Sequence, residues 1–183
     1  TYYDYRYNKL IYGAENIDII DVEPAFIKNR LPDDLFKTIL QTVTTIKKDQ
    51  PIETISEKYS AINYAAIPYS KAGEWMKMLE LKLGTGTFDK LMKEYFLRWN
   101  FKHPYPEDFK KVMEEVSGKN LDATFTLLTK KGDLKKSTVK KDIRFRSFFS
   151  LKETDKHHYI FASPAIGYNF YDKLMLGVLL HNY

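Results

Sequence analysis

The sequence contains no cysteine, which removes disulfide staples, thiolate nucleophiles and cysteine zinc sites and leaves the redox compartment open. Histidine is scarce: His103, His157, His158 and His181 are all there is. A hydrolytic zinc site takes three protein ligands from His, Asp or Glu plus an open position for water, and no His-x-x-x-His pair occurs. His157 and His158 are adjacent, so they point to opposite sides of a strand or diverge on a helix. His103, within FKHPYPEDF, reads as a turn residue. No metal and no other cofactor is expected to be bound by this chain. Serine lacks a Gly-x-Ser-x-Gly setting, which argues against a nucleophile elbow. Glycine is sparse, and GTGT at 84–87 is too poorly patterned for a phosphate loop; it reads as a helix stop followed by a cap. No signal peptide opens the sequence and no apolar run reaches the ~18 residues of a spanning helix.

What is present belongs to a folded protein. Hydrophobic residues make up 44% and charged residues 29% of 183 positions, enough for one sizeable core, or for one core and a small second unit. The net charge of +5 is modest. Six lysines against Asp133 in the run from Lys130 to Lys141 could meet nucleic acid or anionic lipid. Without interleaved aromatics to stack bases, the run reads as a solvated linker, and no nucleic-acid partner is expected.

The hydrophobic periods divide the chain in two. Tyr3, Tyr7, Leu10 and Ile11 share a helical face ending near Gly13, although Tyr3, Tyr5 and Tyr7 also permit a strand. Pro24 and Pro32 punctuate an aperiodic stretch. Leu35, Ile39, Val43 and Ile46 mark a helix, with Asp33 and Asp34 at its positive end and Pro51 as its stop. A short helix over Ile52–Tyr59 is expected next. Ala72, Trp75, Met76, Leu79 and Leu83 form a stripe closed by Gly84. Thr87 is placed to cap a helix carrying Phe88, Leu91, Met92, Tyr95, Phe96 and Trp99. Pro106 opens a helix with Phe109, Val112, Met113 and Val116 inward, and Gly118 ends it. Asn120 caps a last short helix through Leu128. The acidic residues Glu80, Glu94 and Glu107 read as solvated, and Asp89 as a partner of Lys93.

Beyond Gly132 the period becomes two. Ile143, Phe145, Phe149 and Leu151 predict a half-buried strand, with Phe148 an exception. Leu174, Leu176, Val178 and Leu180 predict another, approached through turn signals at Pro164, Gly167, Asn169 and Asp172. The apolar face of that last strand suits a membrane barrel or an ordinary sandwich equally. The expected fold is a mainly α-helical unit, 1–132, followed by a small β-rich segment, 133–183, that could start a barrel or sandwich.

One stretch looks like more than packing: NYAAIPYSKAGEWMKMLE. Pro68 permits a helix to begin, and Tyr64 and Tyr69 flank that entry. A neutral phenol there can donate to the oxygen of a tetrahedral intermediate, an interaction worth roughly 3 kcal/mol; by residue physics alone, two partly buried tyrosines more often do structural work.

The stretch resembles the Tyr-x-x-x-Pro-Tyr-x-Lys-Gly motif of the zinc aminopeptidases related to aminopeptidase N. Ala72 stands where glycine is common, with Gly73 next. LGTGTFDKLMKEYFLRWNFKHPYPEDFKKVMEEVSGKNL is similar to the succeeding helices of that family. Tyr105 replaces the usual Ser or Thr cap there, which predicts a weaker helix start. Thr1-Tyr2-Tyr3-Asp4-Tyr5 resembles the stretch just downstream of the family's Trp-x-x-Glu-Gly segment.

The resemblance covers about residues 1–125. It implies the C-terminal part of a gluzincin catalytic domain, with the His-Glu-x-x-His helix and the third zinc ligand upstream of Thr1. It assigns Tyr69 the oxyanion role, with Tyr64 as companion. It implies zinc and a peptide substrate for the parent protein, and an upstream metal-binding region as partner. The chain alone is expected to be inactive, and a non-catalytic peptide-binding or scaffolding domain is the alternative. SPAIGYNFYDKLMLGVLLHN resembles barrel-like extensions of some bacterial relatives, implying a periplasmic or outer-membrane location and possible membrane association.

Overall fold

The structure is a computed structural model that describes residues 2–13, 27, 29–32, 34–135, 140–147, 150, 152–154 and 156–182. Expectations attached to Pro24, Asp33, Phe148, Phe149 and Leu151 lie outside the described residues. Helices occupy the first two thirds: α1 (Tyr2–Tyr12), α2 (Leu35–Thr45), α3 (Ala61–Ala66), a π-helical stretch (Ile67–Lys71), α4 (Ala72–Leu83), α5 (Thr85–Trp99), α6 (Pro106–Ser117) and α7 (Asp122–Phe125). A three-stranded sheet comes after them, with β1 (Asp142–Ser147), β2 (His157–Asn169) and β3 (Lys173–Asn182) in that spatial order.

The opening segment is helical, so the strand alternative falls away, but the face it buries differs from the expected one. Tyr2 is the buried residue of α1, edge-on to Phe88 at 5.5 Å, while Tyr3, Tyr7, Leu10 and Ile11 are exposed. Arg6 supplies the polar half of the docking. Its guanidinium forks onto Asp89 of α5, one arm at 3.0 Å, and lies 4.0 Å from Glu80 of α4. Asp89 therefore serves Arg6 instead of Lys93, and Glu80 is not solvated but turned under α1 towards Tyr2 and Arg6.

The main core joins Tyr2, Trp75, Leu79, Leu83, Phe88, Leu91, Met113, Leu121, Phe125 and Leu128. These come from α1, α4, α5, α6 and the segment around α7, as the heptad-like stripes require. Phe96 and Val116 are exposed exceptions to their stripes. Trp75 donates its indole N–H to the Thr124 carbonyl at 2.9 Å, satisfying the polar handle of a buried ring. A smaller cluster packs Leu40 and Val43 of α2 on Ala66 and Ile67.

Helix ends account for most of the differences in detail. Gly84, at φ +86, closes α4 and also caps α5, so α5 starts at Thr85 and Thr87 lies inside it. Helix α2 ends well before Pro51: Lys47 turns left-handed at φ 57, Lys48 N–H reaches Val43 O and Lys47 N–H reaches Thr44 O, the paired bonds of a Schellman motif. The expected helix at Ile52–Tyr59 shrinks to a 3₁₀ turn at Ser56–Lys58. There the Tyr59 hydroxyl donates to the carbonyls of Pro51 and Ile52, holding that backbone out of a helix. Asn120 lies one residue before the cap of α7, but its side chain still accepts from Asp122 N–H. The Asp108 carboxylate accepts from Tyr105 N–H at 2.9 Å, which restores part of what the missing Ser or Thr cap would give α6.

In the sheet, β1 runs parallel to β2, from Asp142↔His157 to Ser147↔Ala162. β2 runs antiparallel to β3, from Ile160↔Asn182 to Asn169↔Lys173. Pro164 and Gly167 do not turn the chain; they are ladder positions of β2, and the turn is made at 170–172 with Asn169 Oδ1 accepting from Tyr171 and Asp172 N–H. β1 is exposed along its whole length instead of half-buried. Buried Tyr159 and Phe161 anchor the base of β2, and Thr154 donates to Gln41 of α2 at 2.9 Å.

The left-handed end of α2 and the docking of α1 are each open to test. Lys47→Gly removes a side chain from a left-handed position and is expected to raise stability by about 0.5–1 kcal/mol in urea unfolding. Arg6 lowers the Asp89 carboxyl below its usual range, chiefly by hydrogen bonding. A depressed carboxylate stabilises the folded state above its unfolded value, near pH 4, and that contribution is lost as pH falls through the lower folded value. The protection of α1 amides from exchange, relative to the unfolded chain at the same pH, should therefore fall below about pH 4, and Asp89→Asn should give the low protection at neutral pH.

Candidate functional site

The expected helix start at Pro68 is corrected by the structure, which places this proline inside a helix. The helix begins at Ala61, after Ser60, and continues without a break from α3 into α4. Proline has no N–H to donate and its ring collides with the carbonyl four residues back. The chain answers by widening: over Ile67–Lys71 it adopts a π turn, closed by Ala72 N–H on Ile67 O. Such a turn inserts one extra residue into a helix and changes which faces its side chains occupy. Tyr64 and Tyr69 thus sit on a helix body, and neither gains the field of a free helix N-terminus.

The π turn sends Lys71 inward and Tyr69 outward. Lys71 is 2% exposed, as is Asp49, and its ammonium donates to Asp49 Oδ2 at 3.0 Å and to Lys130 O at 3.2 Å. Gly132 N–H donates to the same carboxylate oxygen at 2.7 Å. Beside this, Asn63 donates to Lys48 O and to the Ser60 hydroxyl, both at 2.9 Å. The site's underside is therefore a buried ion pair that ties the π turn to the segment after α2 and to the end of the helical region. Sequence reasoning reaches Lys71 only as the lysine of the Tyr-x-x-x-Pro-Tyr-x-Lys-Gly resemblance; its burial and its pairing with Asp49 are not foreseen.

On the outer side, Tyr69 is 48% exposed and Tyr64 is 50% exposed. Tyr64 lies edge-on to Tyr59, with ring centroids 6.4 Å apart. Among the described residues neither hydroxyl has a hydrogen-bond partner, so both phenols keep a donor for a ligand. They share one helix, but no contact between the two rings joins them into a pair.

The donors for a metal do not assemble. Among the described residues no group of three or more His, Cys, Asp or Glu side chains is placed to hold a metal ion. His157 meets only Asp142 and, at 3.8 Å, Glu153 at the base of the sheet. Hydrogen bonding to His157, with help from Arg144, holds the Asp142 carboxyl below its usual range. The described residues do not fit a zinc site.

The model of the peptidase family M1 domain matches residues 14–127. Aminopeptidase 2, mitochondrial, of Saccharomyces cerevisiae is 28% identical over 92 residues, covering 49% of this chain and 10% of the yeast protein. Aminopeptidase M1-D of Oryza sativa subsp. japonica is 30% identical over 89 residues, covering 48% of this chain and 10% of the rice protein. The chain thus spans about a tenth of the length of these curated relatives. No solved structure matches.

Breaking one side of the buried pair strands the other charge. Lys71→Met is expected to cost about 3–5 kcal/mol in chemical unfolding. Adding Asp49→Leu to Lys71→Met should recover much of that loss, since no buried charge is then left alone.

Proposed function

The chain belongs to peptidase family M1, and from that premise we propose that it is a peptide-facing helical wall of an M1-type fold that performs no hydrolysis by itself. One observation carries the reading: Tyr69 is half exposed with an unspent O–H, on a π turn whose inner side is locked by the Lys71–Asp49 pair. A rigid phenol is suited to donate to a peptide carbonyl, and its aromatic body adds apolar contact. Tyr64 extends the same surface. A scaffold or peptide-binding role asks nothing more of the residues present, whereas hydrolysis asks for a metal-binding set that they do not supply.

The π turn also favours a second reading within a longer parent. If an upstream region supplies zinc, the metal provides the Lewis acid and activated water. Tyr69 then holds its proton at the phenolic oxygen and donates to the developing oxyanion, while the π turn fixes its direction.

Titration of the protein with an N-acetylated, C-amidated peptide, followed by the tyrosine NMR signals, separates these possibilities. Tyr69→Phe is expected to weaken binding roughly fivefold, the loss of one neutral hydrogen bond, with the unfolding midpoint unchanged. In a parent with an intact metal site the same substitution should lower kcat by about 100-fold at constant zinc content. Peptide hydrolysis by the 183-residue chain alone, or unaltered binding and turnover in Tyr69→Phe, would overturn the assignment.

A further inference from the structure

The β2–β3 hairpin outgrows the rest of the sheet. β1 accompanies β2 only as far as Ala162, and beyond that pair the ladder continues as a bare two-stranded ribbon to Asn169↔Lys173. An isolated ribbon of this kind is at best marginally stable in water. This one also lacks the means by which water-facing strands are solvated. No charged side chain occurs from Tyr159 to Tyr171, nor from Leu174 to Leu180.

The register sorts the hairpin into two unlike faces. Ala162↔Leu180, Pro164↔Val178, Ile166↔Leu176 and Tyr168↔Leu174 lie on one face, and all four β3 residues are 62–76% exposed. The opposite face pairs Ser163↔Leu179, Ala165↔Gly177, Gly167↔Met175 and Asn169↔Lys173, a smaller and more polar set. A sheet with one face on water would carry charged or strongly polar residues there. A barrel wall in a membrane instead alternates apolar outward residues with small or polar inward ones.

Length and the tip bear on that arrangement. The eight pairs from Ala162↔Leu180 to Asn169↔Lys173 cover about 23 Å at the usual rise. Tilted by about 40°, that becomes a depth of about 18 Å, most of an apolar band of about 25 Å. At the turn Tyr168, Phe170 and Tyr171 are exposed, and the Lys173 ammonium lies 4.7 Å from the Phe170 ring centroid. Aromatic rings beside a lysine are the side chains that collect at a membrane–water interface.

We propose that the β2–β3 hairpin is a membrane-spanning strand pair of a β-barrel, with Leu174, Leu176, Val178 and Leu180 facing acyl chains and the Phe170–Lys173 turn at the interface. Open backbone edges cannot persist in hydrocarbon. The outer edge of β3 and the distal edge of β2 are therefore joined to further strands.

The absence of cysteine from this stretch allows the faces to be read one position at a time. The protein, reconstituted into phosphatidylcholine vesicles, carries a thiol-linked fluorophore at Leu176→Cys or Val178→Cys on one face, and at Ser163→Cys or Leu179→Cys on the other. A quencher attached to the acyl chains is expected to lower emission at least about twofold more on the first face than on the second, in strict alternation. Val178→Asp should reduce recovery with floated vesicles by about tenfold, with the near-ultraviolet signal of the helical region unchanged. Failure of the unsubstituted protein to float with vesicles, equal quenching on both faces, or a lipid-free oligomer in which Val178→Asp restores the monomer would overturn the proposal.

Discussion

The helical region turns on an ammonium group that has no access to water. Lys71 lies between the Asp49 carboxylate and the Lys130 carbonyl, and Gly132 N–H completes the carboxylate's shell. Three segments distant in sequence must therefore meet at one point: the residues after α2, the π turn, and the end of the helical run. A buried pair of this kind contributes little net stability compared with apolar packing, but it penalises any arrangement that separates the partners. Its effect here is geometric. It holds the π turn in one rotation and so decides that Tyr69, two residues earlier, faces outward.

Proline is the origin of that turn. Ideal α geometry through Pro68 would lose a hydrogen bond and drive the ring into the preceding turn; the missing donor stays missing in any helix, and the π turn gives the ring room at the cost of a locally wider helix. The stretch from Ser60 to Leu83 is thus a single element with a built-in offset. The small cluster of Leu40, Val43, Ala66 and Ile67 covers one end of the offset, and Trp75 and Leu79 enter the main core beyond the other.

The sequence is most legible where one physical effect dominates. The stripes of α4, α5 and α6 are readable because burial recurs at helical spacing, and Gly84 and Gly118 end helices where a left-handed or otherwise positive φ is needed. Legibility fails where two effects compete. Pro68 is an ordinary helix opener in isolation, and only tertiary packing on both sides makes a π turn cheaper than a break. Glu80 looks solvated and Asp89 looks like a partner of Lys93 because helix periodicity does not reveal that Arg6, more than seventy residues away in sequence, docks between them. Tyr69 is singled out through the motif around it. Lys71 belongs to the same motif, but its place inside the core is not foreseen because a lysine is seldom placed in a core without a known partner.

The two halves of the chain solve the burial problem in opposite ways. In the helical half a full charge is taken inside and neutralised, leaving half-exposed phenols as the polar groups available outside. In the sheet, Leu174, Leu176, Val178 and Leu180 remain outside although buried Tyr159 and Phe161 lie at the base of the same strand pair. Failure of the sheet to reach the helical core does not explain this, because Thr154 already joins its base to Gln41 of α2. The apolar ribbon extends away from that junction, and its aromatic residues lie at the far turn instead of the near one. Poor packing would leave exposed apolar side chains scattered. Here Leu174, Leu176, Val178 and Leu180 are ordered by strand register on one face, with Met175 and Leu179 exposed on the other, and the ribbon is bounded by an aromatic turn, which is the pattern expected when the surrounding medium, and not the protein core, is the apolar phase.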